Sequence, residues 1–290
     1  MLYHQIQIFM KHTFFLVVLM VALQLGATEK IKLVILHTND THSQIEPTAK
    51  SNHRNANMGG VARRIGLIQH IRNTEKNVLL FDAGDFLQGT PYFNFYGGRL
   101  EVDALNRMKY DAVTLGNHEF DNGMDSLALI LNDAKFPVIS SNYNTTNTLI
   151  QPFVKPYLVL NRFGLKIGIM ALNIQPKGLI FEKNYTGLVY NDPLIVANKM
   201  ADYLKNKKKC DVVICLSHLG GDADSKDMND FYIARNTHNI DVIIGGHSHL
   251  LLENATQTNL SGNKVIIAQV GRSGLYLGKI ELILTKKKKP

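Results

Sequence analysis

The chain has 290 residues, of which 45% are hydrophobic and 19% charged, a balance that is normal for a globular protein with one large core or two small ones. No repeat period is visible, which excludes a repeat architecture. The formal net charge is +8, but lysines concentrate at 205–209 and 286–289 without interleaved aromatic residues. We therefore expect solvated faces rather than a nucleic-acid surface, with a membrane-surface or partner-docking role for the tail as the alternative.

The first residues are typical of a secretory signal peptide. Lys11 and His12 precede an apolar run at 14–25, and small residues follow up to Ala27, near which we expect cleavage. The run is shorter than the roughly 20 apolar residues of a membrane span, so a retained anchor is the less favoured interpretation. We expect an exported chain without a membrane span after cleavage, periplasmic or extracellular, with Met10 as an alternative start.

Strands and helices alternate through the rest of the chain. The sequence predicts strands at 31–36, 78–81, 112–115, 138–140, 153–160, 166–172, 210–216, 242–244, 265–269 and 277–284. It predicts helices at 61–74, 102–108, 124–134 and 193–208, and an aromatic loop at 91–98. Strands that follow one another without a helix between them predict a mixed sheet. We expect one α/β domain at 28–285, between the signal peptide at 1–27 and a basic tail at 286–290.

Two cysteines, Cys210 and Cys215, flank one predicted strand. Five strand residues span about 16 Å, well beyond the roughly 7 Å between Cα atoms that a disulfide tolerates. The spacing predicts two small core residues rather than a disulfide or a metal site.

Five short polar clusters each follow a predicted strand. They are Asp40-Thr41-His42, Gly84-Asp85, Gly116-Asn117-His118-Glu119, Ser217-His218 and Gly245-Gly246-His247-Ser248-His249. Ligands bind beyond the carboxyl ends of the strands in open α/β sheets, so we expect these clusters to converge. Carboxylate, amide and imidazole groups together suit Zn, Mn or Fe. The other histidines are expected to be structural or to belong to the signal region: His4, His12, His37, His53, His70 and His238.

In their order, the patterns D-x-H, G-D, G-N-H-E, S-H and G-H-x-H resemble the calcineurin-like metallophosphoesterase superfamily. The longer strings at 36–42, 82–86 and 116–123 look like the 5'-nucleotidase family within it. The resemblance covers residues 31–284. It implies a metallophosphoesterase-type four-layer α/β sandwich, in which helices flank two mixed β-sheets.

The resemblance also implies two divalent metal ions, which the donor types leave open as Zn, Mn, Co or Fe. The implied ligands of one ion are Asp40, His42, Asp85 and His249. The implied ligands of the other are Asp85, Asn117, His218 and His247, so that Asp85 bridges the pair. Asn117 and His118 would contact the substrate, and Asp121 would orient the His118 imidazole, with Glu119 as an outer partner.

The implied activity is phosphomonoester hydrolysis of the 5'-nucleotidase type, with phosphate released from nucleoside monophosphates by a metal-bridging hydroxide. Members of that family usually carry a second, C-terminal domain for the nucleobase, to which no residues of this chain correspond. The chain is therefore either the catalytic half of a split enzyme, whose 5'-nucleotidase C-terminal domain is separately encoded, or acts alone on a different ester.

Two further questions stay open at this stage. A non-catalytic binding subunit is a less favoured alternative, because the set of implied ligands is complete. A related sulfur-compound hydrolase with the same metal core is a further alternative. The aromatic loop either packs locally or contacts a partner domain or the substrate through Tyr92, Phe93, Phe95 and Tyr96.

Overall fold

The computed structural model describes residues 28–51 and 54–287, so the predicted signal peptide lies outside the described residues. The chain divides into two units, and the larger one spans Val34–Ile280. The described part of the smaller unit comprises residues 28–33 and 281–287. Within its described part, the Lys32 ammonium lies 3.0 Å from the Glu281 carboxylate.

The strands alternate with helices as the sequence predicts. The strands are β1 Thr28–Thr38, β2 Val78–Asp82, β3 Ala112–Thr114, β4 Val138–Ile139, β5 Tyr143–Asn144, β6 Val154–Lys155, β7 Leu158–Arg162, β8 Leu165–Asn173, β9 Val189–Tyr190, β10 Val212–His218, β11 Val242–Ile244, β12 Ala255–Thr258, β13 Lys264–Ala268 and β14 Gly278–Lys287. The α-helices are α1 Val61–Thr74, α2 Pro91–Tyr96, α3 Arg99–Met108, α4 Gly123–Leu131, α5 Pro193–Asp202 and α6 Asp230–Arg235. Two 3-10 turns (His118–Phe120 and Glu182–Tyr185) and one π-helical turn (Tyr203–Lys207) complete the elements.

Two large sheets carry the fold. In the first, β1, β2, β3, β4 and β6 are neighbours in that order and pair in parallel, and β14 lies beside β1. In the second, β13, β11, β10 and β8 are parallel, while β12 and β7 run antiparallel at its two edges. The prediction of mixed α/β sheets is therefore confirmed.

The sheets face each other, and each packs helices on its outer face. Strands β3 and β4 of the first sheet contact β8 of the second. Ile68 of α1, Leu105 of α3 and Leu127 of α4 pack in one core with Leu80 of β2. A second core joins residues of α5 and α6 to those of β8, β10 and β11. Helix, sheet, sheet and helix are the four layers that the resemblance implies, and burying both faces of each sheet explains the nearly continuous apolar strands.

Three sequence predictions are wrong in detail. Residues 91–98 are not a loop, because Pro91–Tyr96 forms α2, which starts at a proline and ends at Gly97 in the left-handed conformation. The strand predicted at 153–160 is broken at Pro156, so that β6 joins the first sheet and β7 the second. The predicted helix at 193–208 becomes π-helical after Asp202, although its start is capped by Asp192, whose carboxylate accepts the N–H of Ile195.

Two other expectations can be compared with the structure. Cys210 and Cys215 are both buried and free, which confirms that they are core residues. In the described ranges, none of the helices has both the length and the apolar character that crossing a bilayer requires.

Candidate metal centre

The polar clusters meet where strands of both sheets end. Asp40 and His42 follow β1, Asp85 follows β2, and Asn117 follows β3. His218 is the last residue of β10. The loop that carries the remaining candidates, His247 and His249, follows β11. Parallel strands place these chain segments at one edge of each sheet, so residues more than 200 positions apart become neighbours.

One group of donors comprises Asp40, His42 and His249. The Nε2 atoms of the two imidazoles lie 3.0 Å apart. Oδ1 of Asp40 lies 3.4 Å from Nε2 of His249 and 3.9 Å from Nε2 of His42. One donor atom from each residue therefore falls within the 4.8 Å spacing expected of a common metal ion.

A second group comprises Asp85, His218 and His247. The Asp85 Oδ2 atom lies 3.0 Å from Nε2 of His218. The Asn117 side-chain oxygen lies 3.1 Å from Nδ1 of His247, so an amide oxygen stands beside this group. Carboxylate, imidazole and amide donors together match the mixed oxygen and nitrogen ligands of Zn, Mn and Fe sites.

Asp85 stands between the two groups. It also forms a donor set with His42 of the first group and with His118. Its Oδ1 atom accepts the backbone N–H of His118 at 2.9 Å, while Oδ2 faces His218. A carboxylate in this place can contact two cations at once.

The hydrogen bonds of the His218 ring indicate whether a cation would fit between His218 and Asp85. Its Nδ1 lies 2.7 Å from the carbonyl oxygen of Ala83, so Nδ1 carries the hydrogen of the neutral ring. The Nε2 lone pair then points at the Asp85 carboxylate, and buried Nε2 has no hydrogen-bond partner. Two electron-rich atoms 3.0 Å apart need a positive charge, which either a proton or a metal ion supplies.

The pKa shifts of His218 and Asp85 also indicate that a positive charge is required between them. Burial opposes charge on His218, but the Asp85 carboxylate outweighs it and raises the pKa of the imidazole to about 10. Burial also opposes charge on Asp85, and His218 nevertheless lowers the pKa of that carboxyl well below its usual range. A proton held by the pair would supply the positive charge. Divalent cations would displace it, because metal binding requires the neutral imidazole.

The backbone at the centre is strained. Five of the candidate ligands have positive φ angles although none is glycine: Asp40 (47°), His42 (47°), Asp85 (55°), His247 (72°) and His249 (55°). Such conformations cost about 1–3 kcal/mol each and persist only where the surroundings impose them. The fold thus holds these side chains in one geometry, and left-handed residues are common at functional sites.

Glu119 organises the loops beneath the donors. Its buried carboxylate accepts the backbone N–H groups of Asp85 at 2.9 Å and of Leu87 at 3.1 Å, and also that of Gly116. One side chain therefore fixes the segments that carry Asp85 and Asn117.

His118 lies at the edge of the centre rather than inside it. Its side chain is about one-third exposed, and Nδ1 lies 2.8 Å from Oδ2 of Asp121, itself one-third exposed. The hydrogen bond with Asp121 raises the pKa of the imidazole despite partial burial. The raised pKa favours the charged imidazole, whose Nε2 N–H can donate to an anion that approaches the donor groups.

Other residues singled out from the sequence lie elsewhere. His37 is buried, and burial lowers its pKa to about 4, so it is a neutral core residue. His70 and His238 are exposed and in none of the donor groups, while His4, His12 and His53 are outside the described residues. On α2, Phe93 is buried, the Tyr92 and Tyr96 rings are stacked, and Phe95 is 82% exposed. Local packing thus accounts for part of that aromatic segment.

The side chains of Asp85 and His218 lie so close to Gly116 that there is no room for a larger residue at this position. A Cβ atom at Gly116 would lie 2.2 Å from Oδ1 of Asp85 and 2.6 Å from Nε2 of His218. We expect Gly116→Ala to displace both donors, to destabilise the fold by about 1–3 kcal/mol and to lower metal content, measured by denaturant unfolding and elemental analysis.

Gly66 offers the matched control. It lies inside α1, and a Cβ atom there would meet nothing within 4 Å. Gly66→Ala should leave metal content unchanged and raise the free energy of unfolding by up to about 1 kcal/mol. Wild-type metal content in Gly116→Ala would show that the close packing at Gly116 does not matter to the donors.

Comparisons with known proteins agree with this geometry. The family described as calcineurin-like phosphoesterase matches residues 33–251, which include every donor described above. The human protein named 5'-nucleotidase is 35% identical over 273 residues, which are 87% of this chain and 46% of that protein. The chain thus spans about half the length of the curated relatives it matches.

Solved structures give the same result. A 5'-nucleotidase precursor from Thermus thermophilus has 30% identity and a TM-score of 0.74, over 88% of this chain and 55% of that chain. The calcineurin-like phosphoesterase YfkN from Bacillus subtilis has 28% identity and a TM-score of 0.72, over 88% of this chain and 86% of that chain.

Proposed function

Because the chain belongs to the calcineurin-like phosphoesterase family, we propose that it is a metal-dependent phosphomonoester hydrolase that releases phosphate from nucleoside monophosphates. The observation that carries the proposal is the position of the Asp85 carboxylate between two groups of metal donors. The similarity to 5'-nucleotidases supports the choice of substrate class.

We assign the ligands as follows. One ion is held by Asp40, His42, Asp85 and His249. The second is held by Asp85, Asn117, His218 and His247, so that Asp85 is shared. When bound, two such ions supply a nucleophile at neutral pH and positive charge for the phosphoryl oxygens. The buried Nε2 of His218, which has no hydrogen-bond partner, and the short distances within each group support this assignment.

His118 supplies the contribution of the chain itself to the transition state. An imidazole whose pKa is raised by Asp121 is a good donor to a phosphoryl oxygen that gains negative charge. Asp121 fixes which ring nitrogen faces the substrate, because its carboxylate occupies Nδ1. The side-chain oxygen of Asn117 lies beside His247, and we propose that the amide nitrogen of Asn117 contacts the phosphate.

A second proposal concerns recognition of the nucleobase. We propose that this chain supplies the catalytic half of an enzyme whose nucleobase-binding half is a 5'-nucleotidase C-terminal domain. The alternative is that the chain acts alone on another phosphoester. A purely binding subunit is disfavoured because the donor groups are complete.

Substrate profiling of the purified mature chain tests these proposals. We would measure steady-state phosphate release from AMP, UDP-glucose, cyclic nucleotides and p-nitrophenyl phosphate, with Mn²⁺ or Zn²⁺ added. Efficient turnover of p-nitrophenyl phosphate with poor turnover of AMP is expected if nucleobase recognition resides in a partner. Strong AMP turnover by the isolated chain would contradict the split-enzyme proposal, and no turnover with either metal would contradict hydrolysis itself.

We also propose that the protein is exported. The basic start, the apolar run at 14–25 and the small residues up to Ala27 support a cleaved signal peptide and a periplasmic or extracellular enzyme. Amino-terminal sequencing of protein from the extracytoplasmic fraction tests it. A mature terminus near residue 28 is expected, whereas an intact chain confined to the cytoplasm would refute export.

A further inference from the structure

Gln269, directly after β13, is a fully buried residue to which neither motif nor spacing assigns a role. Its side-chain amide faces the loop at 245–250. Nε2 donates to the carbonyl oxygen of Gly246 at 3.0 Å, and Oε1 accepts the backbone N–H of Leu250 and the hydroxyl of Ser248 at 3.1 Å. Both the amide nitrogen and the amide oxygen of this buried side chain are therefore engaged by one loop.

These bonds bracket the two histidines of that loop. Gly246 immediately precedes His247, and Leu250 immediately follows His249. Both histidines have left-handed backbones, with φ of 72° and 55°. Because the left-handed conformation is unfavourable for residues other than glycine, the loop would relax to a less strained conformation unless contacts at both ends hold it. The amide of Gln269 supplies a contact at each end.

The segment that carries Gln269 is itself tied to the other donor loop. The buried amide of Asn39 donates to Oδ2 of Asp40 at 2.7 Å and to the carbonyl oxygen of Gly271 at 2.7 Å, and its oxygen accepts the N–H of Val270 at 2.9 Å. A shift of the residues after β13 would therefore move the Asp40 side chain as well as the loop that carries His247 and His249.

From this geometry we propose that Gln269 is a positioning residue that holds the imidazoles of His247 and His249 in metal-binding orientation. The inference rests on the proposed function, because it takes those two histidines as ligands, one for each ion. Gln269 touches neither substrate nor metal, and it acts through the loop alone.

The test is metal affinity, measured by calorimetric titration of Mn²⁺ or Zn²⁺ into the metal-free full chain. Gln269→Met keeps the length of the side chain and removes its hydrogen bonds. We expect its dissociation constants for metal to rise by roughly 10–100-fold, the usual loss for partners that orient ligands. The visible absorption of the Co²⁺-loaded variant should also change, because it reports the arrangement of the ligands rather than the stability of the fold.

Asn259→Ala is the matched control. Asn259 is also a buried amide, but its oxygen accepts the N–H groups of Ser261 and Asn263 in the turn between β12 and β13. We expect wild-type metal affinity and an unchanged Co²⁺ spectrum, whatever the loss of stability. An equal loss of affinity in this control would mean that the Gln269 effect is a general consequence of destabilisation.

The outcomes separate the two proposals. If the wild-type chain binds no metal, the proposed function is wrong. If it binds metal and Gln269→Met binds it equally tightly with the same spectrum, the positioning role alone is overturned. Should Gln269→Met fail to fold, Gln269→Glu decides, because it keeps the size of the side chain and the acceptor for Leu250 but replaces the donor to Gly246 with an oxygen. A weaker affinity in the same direction supports the role, and wild-type affinity overturns it.

Discussion

Replacement of Asp85 by asparagine is expected to abolish phosphate release and to lower the metal content of the purified protein. The side chain stands between two donor groups, with one oxygen on the backbone N–H of His118 and the other 3.0 Å from His218. The amide removes the negative charge that both ions would share. We expect a loss of more than about 100-fold in kcat/KM, since even outer partners of metal ligands cost roughly 10–100-fold.

Thermal unfolding gives an independent readout of the same variant. A ligand that binds only the folded chain stabilises it, so added Mn²⁺ or Zn²⁺ should raise the Tm of the wild type but hardly that of Asp85→Asn. Asp133→Asn is the control, because Asp133 is exposed and belongs to none of the donor groups. An Asp85→Asn protein with two bound ions and normal turnover would show that Asp85 is not required as a shared metal ligand.

Replacement of His118 by asparagine should separate chemistry from metal binding. His118 lies at the edge of the donor groups, one-third exposed and hydrogen-bonded to Asp121. Loss of one preorganised donor to the transition state typically costs about 10²–10³-fold in kcat. We therefore expect that loss with unchanged metal content, measured by steady-state kinetics and elemental analysis of the same preparation.

His70→Asn serves as the control, since His70 is an exposed histidine of α1 and should tolerate the change. The companion variant Asp121→Asn should lower kcat less than His118→Asn does, because the imidazole remains and only its orientation and charge are weakened. If His118→Asn loses its metals together with its activity, His118 is a ligand and the division of roles proposed here is incorrect.

The strands and the donor groups could be predicted because they depend on local pattern. Val242–Ile244 is an apolar run that stops at Gly245, and the strand ends there. The same reasoning placed α1 at Val61–Thr74, as observed. Parallel pairing then brings the carboxyl ends of the parallel strands to one edge of each sheet, so polar residues after these strands converge without any knowledge of their contacts.

The wrong predictions have specific physical causes. The helix α2 has six residues, too few for a 3.6-residue period to be visible among Tyr92, Phe93, Phe95 and Tyr96. The break at Pro156 changes which sheet the chain enters, an event that depends on tertiary packing rather than on strand propensity. The left-handed backbones at His247 and His249 were equally invisible, because residues other than glycine adopt them only when the surrounding structure compels it.

Gln269 marks the limit of sequence reasoning at this site. Its position after an apolar strand resembles that of the donor clusters, but glutamine there has many structural uses. Its significance lies in three hydrogen bonds to a loop that precedes it by about twenty residues, and no spacing encodes them. Sequence thus identifies groups that bind metal more readily than the groups that hold them.

Metal titration of the full chain tests the central claim most directly. Metal-free protein would be titrated with Mn²⁺ or Zn²⁺ while bound metal and hydrolysis of p-nitrophenyl phosphate are followed in parallel. The account predicts that binding saturates at two ions per chain and that hydrolysis reaches its maximum only when both are bound. Full activity in the metal-free chain, or saturation at a single ion with full activity, would contradict it.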